Sequence, residues 1–442
     1  MTLLQGHETG DGVDRHNGQT SDPEARRKLQ RRLRPLAIVT LVGIIALAVI
    51  IPLVVLGPSS TSLLPEETPL NHSGLFEPAG RVGSSEGGGA GSFNFAVIDP
   101  ATGATSPVRP FSSTTLVSTP FVVSGNELVD VIGLKDTVGV PNIGTAVAFV
   151  PDRPQSTRSL GRASYVVDAS TPHDVWLVVD PEHPYPVIPD SGCSVEEVSL
   201  SGVVAVGPRP FPCGWSIKGP APRGLLVERA PLQAQSCGSD CIAAGTLSSW
   251  DPVDGRVDAS YGYASKNLSI DADNGDIVLW NECDDPHCVD NATSLVSGRT
   301  NTVPELPRMG WNLLTPYALS PDGRFAAVVA ISDATKAALE RYDRSLPRSP
   351  PCCYDGVHAI PSELLVYNLS LNRLVEQRPL MAASYPVVDW SPDGGWLFVT
   401  KDLQHIEAVP MWSDSEPVRS VPTIDKGFGG DSPAESFVPF SR

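Results

Sequence analysis

The chain has 442 residues, and 41% of them are hydrophobic, which is enough for a packed core and excludes a globally disordered protein. Its 43 prolines and 39 glycines argue against a helical bundle, because proline breaks helix interiors and both residues mark turns between strands. The formal net charge is −18. So acidic a surface repels phosphate groups, and nucleic acid and anionic lipid headgroups are not expected as partners of the main domain.

The N-terminal region predicts a membrane anchor. Residues 1–34 are polar and end in a basic segment, residues 26–34, which holds six Lys and Arg residues. The run Leu36–Leu56 contains no charged residue, and as a helix it would be about 32 Å long, close to the hydrocarbon thickness of a bilayer. We predict a disordered cytoplasmic tail over 1–34 and a transmembrane helix over 35–57, with the rest of the chain outside the cell because basic flanks mark the cytoplasmic side.

Two other interpretations of this region fit the residues less well. A cleavable signal peptide has a shorter apolar stretch and small residues at its cleavage site, whereas Leu56-Gly57-Pro58 is a poor site. A lipoprotein signal needs a cysteine near the junction, and the first cysteine of the chain is Cys193. The predicted localisation is therefore the plasma membrane, single-pass, with a cytoplasmic N-terminus and an extracytoplasmic C-terminal domain.

All eight cysteines follow the predicted anchor, which is the usage expected of an oxidising compartment. The disulfide candidates are Cys193, Cys213, Cys237, Cys241, Cys283, Cys288, Cys352 and Cys353. The sequence alone does not fix their connectivity. Proximity in the chain suggests Cys193–Cys213, Cys237–Cys241 and Cys283–Cys288. This choice leaves the adjacent Cys352 and Cys353, whose bridge would strain the peptide between them.

The region after the anchor divides into a linker and a β-rich domain. Residues 58–92 are rich in proline, glycine and serine, which is typical of a flexible tether. From residue 93 to residue 442, short apolar runs end at polar turns, as at Asp99-Pro100, Asp180-Pro181, Asp251-Pro252 and Asn368. Each run predicts a short strand. One short helix, capped by Ser332, is expected within residues 331–361.

One four-residue motif occurs twice between apolar runs: Ser320-Pro321-Asp322-Gly323 and Ser391-Pro392-Asp393-Gly394. Proline fixes φ at the start of a turn, aspartate suits the next position, and glycine accepts the positive φ from which a second strand can begin. Both motifs therefore predict tight hairpins. Looser versions occur over residues 165–176 and 268–278.

An apolar strand, Ser-Pro-Asp-Gly and a second apolar strand resemble the repeat of TolB-type β-propellers, which are relatives of WD repeats. The resemblance rests on residues 320–323 and 391–394 and implies four-stranded blades arranged radially. At about 40–50 residues for each blade, residues 93–442 accommodate six or seven blades. The predicted fold class is all-β: a six- or seven-bladed β-propeller ectodomain preceded by one transmembrane α-helix. The anchor departs from TolB itself, a soluble periplasmic protein, so no role in the Tol system is expected.

Several segments could carry chemistry, but each has a structural explanation. Residues 283–288 contain two cysteines, two aspartates and a histidine, for which a disulfide outside the cell is favoured over a zinc or copper site. Residues 271–282 resemble a calcium loop, but Gly275 is at the fifth position instead of the sixth, which favours an Asn-Gly hairpin turn. Five tryptophans are expected in the core: Trp176, Trp250, Trp280, Trp390 and Trp412. No catalytic residue, metal or cofactor is predicted.

The predicted function is that of a non-enzymatic binding or scaffold protein outside the cell. Its partners would be the plasma membrane, through residues 35–57, and another extracytoplasmic protein or cell-envelope component, but not nucleic acid. The alternative is an extracytoplasmic hydrolase or lyase that uses carboxylates in the propeller channel, and it predicts acidic residues with perturbed pKa values at one channel mouth. A transmembrane sensor is a third possibility, although the 34-residue tail has no recognisable output domain.

Overall fold

A computed structural model describes the chain from residue 69 onward, within one compact unit, Pro65–Arg442. The described residues are 69–84, 91–108, 121–134, 143–180, 192–213, 215–229, 246–261, 267–284, 287–303, 310–345, 359–383, 386–402, 404–413, 416–423 and 437–442. Among them, no helix is both long and apolar enough to cross a membrane. The predicted tail, residues 1–34, and the predicted transmembrane helix, residues 35–57, lie outside the described residues.

The described strands form seven antiparallel sheets. In six of these sheets all the strands are neighbours in the chain, and the seventh combines the last described strand with the first three. Blade 1 contains β1 (Ser73–Ser84), β2 (Gly91–Ile98), β3 (Thr105–Val108) and β29 (Val438–Ser441). Blade 2 contains β4 (Val122–Ser124), β5 (Glu127–Ile132), β6 (Gly144–Val150) and β7 (Arg153–Ala163). Blade 3 contains β8 (Tyr165–Asp168), β9 (Asp174–Val179), β10 (Ser194–Ser199) and β11 (Val204–Pro210). Blade 4 contains β12 (Trp215–Ala221), β13 (Gly224–Arg229), β14 (Thr246–Asp251) and β15 (Arg256–Tyr261).

The remaining blades repeat this arrangement. Blade 5 contains β16 (Asn267–Asp273), β17 (Ile277–Asp284), β18 (His287–Ser294) and β19 (Thr300–Thr302). Blade 6 contains β20 (Trp311–Leu313), β21 (Ala318–Leu319), β22 (Phe325–Ser332), β23 (Ile360–Asn368) and β24 (Arg373–Ala382), and both β20 and β21 pair with β22. Blade 7 contains β25 (Val388–Trp390), β26 (Trp396–Thr400), β27 (His405–Pro410) and β28 (Arg419–Pro422). The fold is therefore a seven-bladed β-propeller.

A hydrophobic cluster fills each of the seven interfaces between neighbouring blades in the described residues. Successive strand residues point to opposite faces of a sheet, so one strand supplies two clusters. In β1, Leu75 packs towards blade 7 and Phe76 packs towards blade 2, and both are fully buried. The core is thus a ring of inter-blade layers. Four of the five predicted core tryptophans are buried, and Trp412 is partly exposed.

Blade 1 closes the ring, because it combines strands from both ends of the described chain. Strand β29 is antiparallel to β1, with Ser441 opposite Ser73 and Val438 opposite Phe76. Arg442 reinforces this closure: its backbone N–H donates to the carbonyl oxygen of His72 at 2.9 Å, and its guanidinium lies 3.1 Å from the carboxylate of Asp99.

The predicted start of the propeller at residue 93 is wrong. A 3₁₀ turn over Leu70–His72 and strand β1, Ser73–Ser84, fall within the predicted linker 58–92. The composition of residues 58–92 predicted a linker because the glycines at 87–89, which follow β1, lower the average hydrophobicity of a region that includes β1. Leu75 and Phe76, two adjacent core residues, are the signal that was overlooked.

The hairpin turns of the blades open alternately onto the two faces of the propeller. Turns between the first and second strands of a blade open onto the same face as turns between the third and fourth strands, because consecutive strands are antiparallel. We call this face the turn face. Of the predicted turns, Asp99–Gly103, Asp251–Gly255 and Asn368–Asn372 join third to fourth strands. Asp180 instead follows β9, a second strand, on the opposite face.

The predicted helix is present as α1, Asp333–Ser345. Ser332 caps it, since its Oγ accepts a hydrogen bond from the backbone N–H of Thr335 at 3.1 Å. Asn312 holds the helix against blade 6 by donating from Nδ2 to the carboxylate of Asp333 at 2.8 Å.

Candidate functional site at the turn face

The innermost strands of the blades surround the propeller axis. The first strands of successive blades contact one another, from β4 and β8 through β12, β16, β21 and β25 to β29. Their turns also contact one another at the turn face. A Cβ atom added to Gly323 would lie 2.8 Å from Asn274, and the Nδ2 of Asn274 donates to the carbonyl oxygen of Pro321 at 3.4 Å. Residues at the ends of the innermost strands are therefore gathered around the axis.

The two Ser-Pro-Asp-Gly motifs form the first turns of blades 6 and 7. The Oγ of Ser320 donates to Asp322 at 2.7 Å and accepts from the backbone N–H of Phe325 at 2.9 Å. Ser391 makes the same two bonds, to Asp393 and from Trp396. Gly323 and Gly394 have φ values of +68° and +71°, as the motif requires. These polar groups satisfy one another, so the motif is structural.

Three aspartates lie near the turn-face ends of innermost strands: Asp168 on β8, Asp273 on β16 and Asp389 on β25. We call them the inner aspartates. Each uses one carboxylate oxygen to accept a nearby backbone N–H: from Ala169 at 3.0 Å, from Gly275 at 2.7 Å and from Trp390 at 2.8 Å. These local bonds orient the side chains but do not neutralise their charge.

Burial raises the pKa of all three inner aspartates towards neutral pH. It raises the pKa of Asp168 to about 7, that of Asp389 to about 7 and that of Asp273 to about 8, and in each case the backbone hydrogen bond opposes the effect. The negative charge of Asp168 adds to the effect at Asp273. The three residues as a whole are half-buried, and the strands packed around their carboxyl groups produce the desolvation. These pKa values place the titration of all three carboxyl groups near neutral pH.

The surroundings of Asp273 leave room for its carboxylate. Its Oδ2 is buried and has no hydrogen-bond partner among the described residues. A Cβ atom at Gly219, in blade 4, would lie 2.4 Å from this oxygen. Blade 4 therefore accommodates the carboxylate only because residue 219 is glycine.

His173 is a second unusual residue at the turn face. It occupies the turn of blade 3 with a φ of +67°, the left-handed conformation that Gly323 and Gly394 adopt in their turns. Left-handed backbone costs a residue with a Cβ atom about 1–2 kcal/mol. The exposed imidazole packs beside Gly125 of blade 2, where an added Cβ atom would lie 2.6 Å from the ring. Backbone strain of this kind is concentrated at functional positions.

The structure contains one of the predicted disulfides and places the two cysteines of a second pairing opposite each other. Cys193 and Cys213 form a disulfide bond, with their Cα atoms 5.4 Å apart, at the junction of blades 3 and 4. Cys283 and Cys288 are directly opposed in the register of β17 and β18, although their side chains are outside the description. The remaining candidates, Cys237, Cys241, Cys352 and Cys353, lie outside the described residues.

Other predicted features resolve into ordinary structure. Residues 271–282 belong to the β16–β17 hairpin, whose turn is closed by the Asn274 Oδ1, which accepts from the backbone N–H of Ile277 at 2.9 Å. Within the described part of the chain, no three His, Cys, Asp or Glu residues are arranged to hold a metal ion. A Gly-x-Ser-x-Gly pattern over residues 83–87 was not among the predicted features; it begins in the last residues of β1 and continues beyond the described residues.

Sequence reasoning did not identify the inner aspartates or His173. A repeated triplet in the sequence could have identified two of the inner aspartates. The triplet Val-Val-Asp occurs at residues 166–168 and 387–389, and a serine follows two residues after each aspartate. For His173 the signal was its place in a looser version of the turn motif, where the closest matches have glycine.

The class of protein defined by these observations is the seven-bladed β-propeller. Solved structures with a similar fold include a protein described as TolB from Agrobacterium tumefaciens, at 10% identity and a TM-score of 0.36, covering 72% of this chain and 98% of that one. Another is the propeller domain of the Trilobed protease from Pyrococcus furiosus, at 10% identity and a TM-score of 0.40, covering 69% and 84% of the two chains. No family model and no curated relative matches the chain. The class assignment rests on the seven blades themselves.

Proposed function

We propose that this protein is a non-enzymatic binding protein, anchored in the plasma membrane through residues 35–57, whose extracytoplasmic propeller binds another extracytoplasmic protein at the turn face. The observation that carries the proposal is the set of inner aspartates, three carboxylates around one end of the propeller axis. A basic side chain of a partner would supply the positive charge that they lack among the described residues.

Charge supports a basic partner. The whole chain carries a net charge of −18, so long-range attraction favours positively charged segments and speeds their encounter with the propeller. A Lys or Arg side chain that reaches the inner aspartates would lower their pKa values and release protons. Binding would consequently strengthen as the pH rises from 5 to 8.

The test uses a lysine-rich peptide of alternating lysine and glycine, titrated calorimetrically into the full chain in detergent at pH 5 and pH 8. We expect binding at pH 8 that weakens by about tenfold or more in the D168N/D273N variant, because a hydrogen bond to a charged group contributes about 1.5–3 kcal/mol. D258N removes an exposed carboxylate of the outer strand β15 and serves as the matched control. Equal affinity for D168N/D273N and D258N would refute the role of the inner aspartates.

The enzymatic alternative gains one specific observation. Asp168 and Asp273 are electrostatically coupled carboxylates with pKa values of about 7 and about 8, and such values suit a general acid and a general base at neutral pH. A hydrolase or lyase would turn over chromogenic ester or glycoside substrates, and each single variant, D168N or D273N, would abolish turnover. Peptide binding without turnover by the wild type would favour the binding protein.

A further inference from the structure

The turns between third and fourth strands carry exposed apolar side chains in blades 4, 5 and 6. Val253, Val296 and Leu371 lie at the tips of these turns, and their exposed fractions are 54%, 71% and 54%. Blade 3 extends the series, with Val203 exposed at its corresponding turn. Four consecutive blades therefore present aliphatic side chains on one arc of the turn face.

The three tips of blades 4, 5 and 6 share one construction. The second residue of each turn is buried and holds the turn against its blade: Pro252, Leu295 or Leu369. The fifth residue has positive φ in each case, +67° for Gly255, +68° for Gly298 and +48° for Asn372. The exposed aliphatic side chains are thus fixed on short, anchored turns, and their exposure is built into the repeat.

An arginine follows the fifth residue of each of these turns: Arg256, Arg299 and Arg373, all exposed. Arg256 is paired with Asp254 at 2.8 Å. Among the described residues, neither Arg299 nor Arg373 has an ion-pair partner, and the turns of blades 5 and 6 contain no carboxylate. An acidic protein therefore places uncompensated positive charge beside exposed aliphatic residues at these tips.

The chain enters the propeller at the same face. Ser73 begins β1 opposite Ser441, the last residue of β29, and this end of the innermost strands is the turn-face end. Eleven residues, 58–68, separate the predicted transmembrane helix, residues 35–57, from Pro69. The average end-to-end distance of a flexible coil of this length is about 20 Å, so the proposed anchor would bring the bilayer surface within reach of the face at which the chain enters.

We propose that the arc formed by the tips of blades 4, 5 and 6 docks on the surface of the lipid bilayer. Val253, Val296 and Leu371 would enter the boundary between headgroups and acyl chains, and Arg299 and Arg373 would bind lipid phosphates. Isolated aliphatic side chains beside arginines suit an interfacial contact with lipid, which needs no shaped groove. This proposal departs from the repulsion of anionic lipid that the net charge predicts, because it depends on the local positions of the arginines and not on the average charge.

This inference rests on the proposed membrane anchor, and the experiment separates the two. The full chain and its V253S/V296S/L371S variant are reconstituted in vesicles of phosphatidylcholine and phosphatidylglycerol, and hydrogen exchange is measured by mass spectrometry. We expect residues 251–256, 294–299 and 368–373 to exchange several-fold more slowly in the wild type than in the serine variant. V375S, which changes an exposed aliphatic residue on β24, should behave as the wild type.

Two further measurements complete the test. R299Q/R373Q should lose part of the protection, and high salt should reduce it in the wild type but not in this variant. Equal exchange at the three turns in the wild type and the serine variant would overturn the docking proposal. So would protection that grows with the ratio of protein to lipid, since it would show contact between copies. Extraction with alkaline carbonate reports on the anchor alone: release of the wild type contradicts the anchor, whatever the exchange data show.

Discussion

Asp389 gives the propeller a stability that depends on pH. Its ordinary pKa is 3.8, and burial on the innermost strand of blade 7 raises the folded-state value to about 7. The folded protein therefore binds this proton more tightly than the unfolded chain. The resulting stabilisation is complete below about pH 4 and is lost as the pH rises through 7.

The D389N variant tests this dependence, since its amide oxygen can still accept from the N–H of Trp390. We expect the wild type to lose on the order of 2–4 kcal/mol of unfolding free energy between pH 4 and pH 8 through this group, and D389N to lose correspondingly less. Urea unfolding at both pH values measures the difference, with D258N as the control on an exposed carboxylate. Parallel pH profiles for D389N and the wild type would contradict the shifted pKa.

The left-handed backbone conformation of His173 lowers the stability of the folded protein while placing an exposed imidazole at the turn face. Its left-handed backbone costs about 1–2 kcal/mol, whereas glycine pays a smaller entropic penalty of about 0.5–1 kcal/mol. We expect H173G to raise the free energy of unfolding by about 0.5–1 kcal/mol in urea at pH 7. H173A keeps the Cβ atom and should give no such gain. If H173G destabilised the protein, the contact of the ring with Gly125 would outweigh the strain.

At the scale of single elements, the hairpins were the most predictable part of the molecule. The chemistry of Ser320-Pro321-Asp322-Gly323 is local, since its hydrogen bonds join residues within five positions of one another. The position of β1 was not predictable from local composition, because its core residues pack only when β29 and blades 2 and 7 are present. The inner aspartates were missed for the same reason: their pKa values depend on strands that come together around the axis.

The β17–β18 hairpin yields a prediction about disulfide chemistry. Cys283 and Cys288 are direct cross-strand partners near the ends of β17 and β18. Cross-strand pairs have Cβ atoms about 4.5–5.5 Å apart, and a small movement brings them to disulfide distance. We expect a Cys283–Cys288 bridge in protein isolated from outside the cell. Mass spectrometry of non-reduced peptides should find the crosslinked peptide, and alkylation of both cysteines before reduction would contradict the prediction.

At the scale of the whole molecule, the ring is closed by β29, a strand of four residues. Phe440 is fully buried there and lies in the cluster between blades 1 and 2, with Phe76, Phe95, Phe121 and Phe149. A Cβ atom at Gly74 would lie 2.3 Å from its ring, so the phenyl group covers the backbone of β1. A propeller without this strand would leave β1 as an unpaired edge facing the axis.

The F440A variant should therefore weaken closure more than it weakens the other blades. Loss of a buried phenyl group costs about 3–5 kcal/mol, and because blade 1 depends on the end of the chain for its innermost strand, we expect its opening to precede global unfolding. Hydrogen exchange in low denaturant should show β1 and β2 deprotected before β13 and β14. L226A removes a fully buried side chain from blade 4, whose strands are contiguous in the chain, and should not expose blade 1 selectively. If F440A and L226A gave the same order of exchange, the ring would unfold as a single cooperative unit and β29 would have no special role in holding it closed.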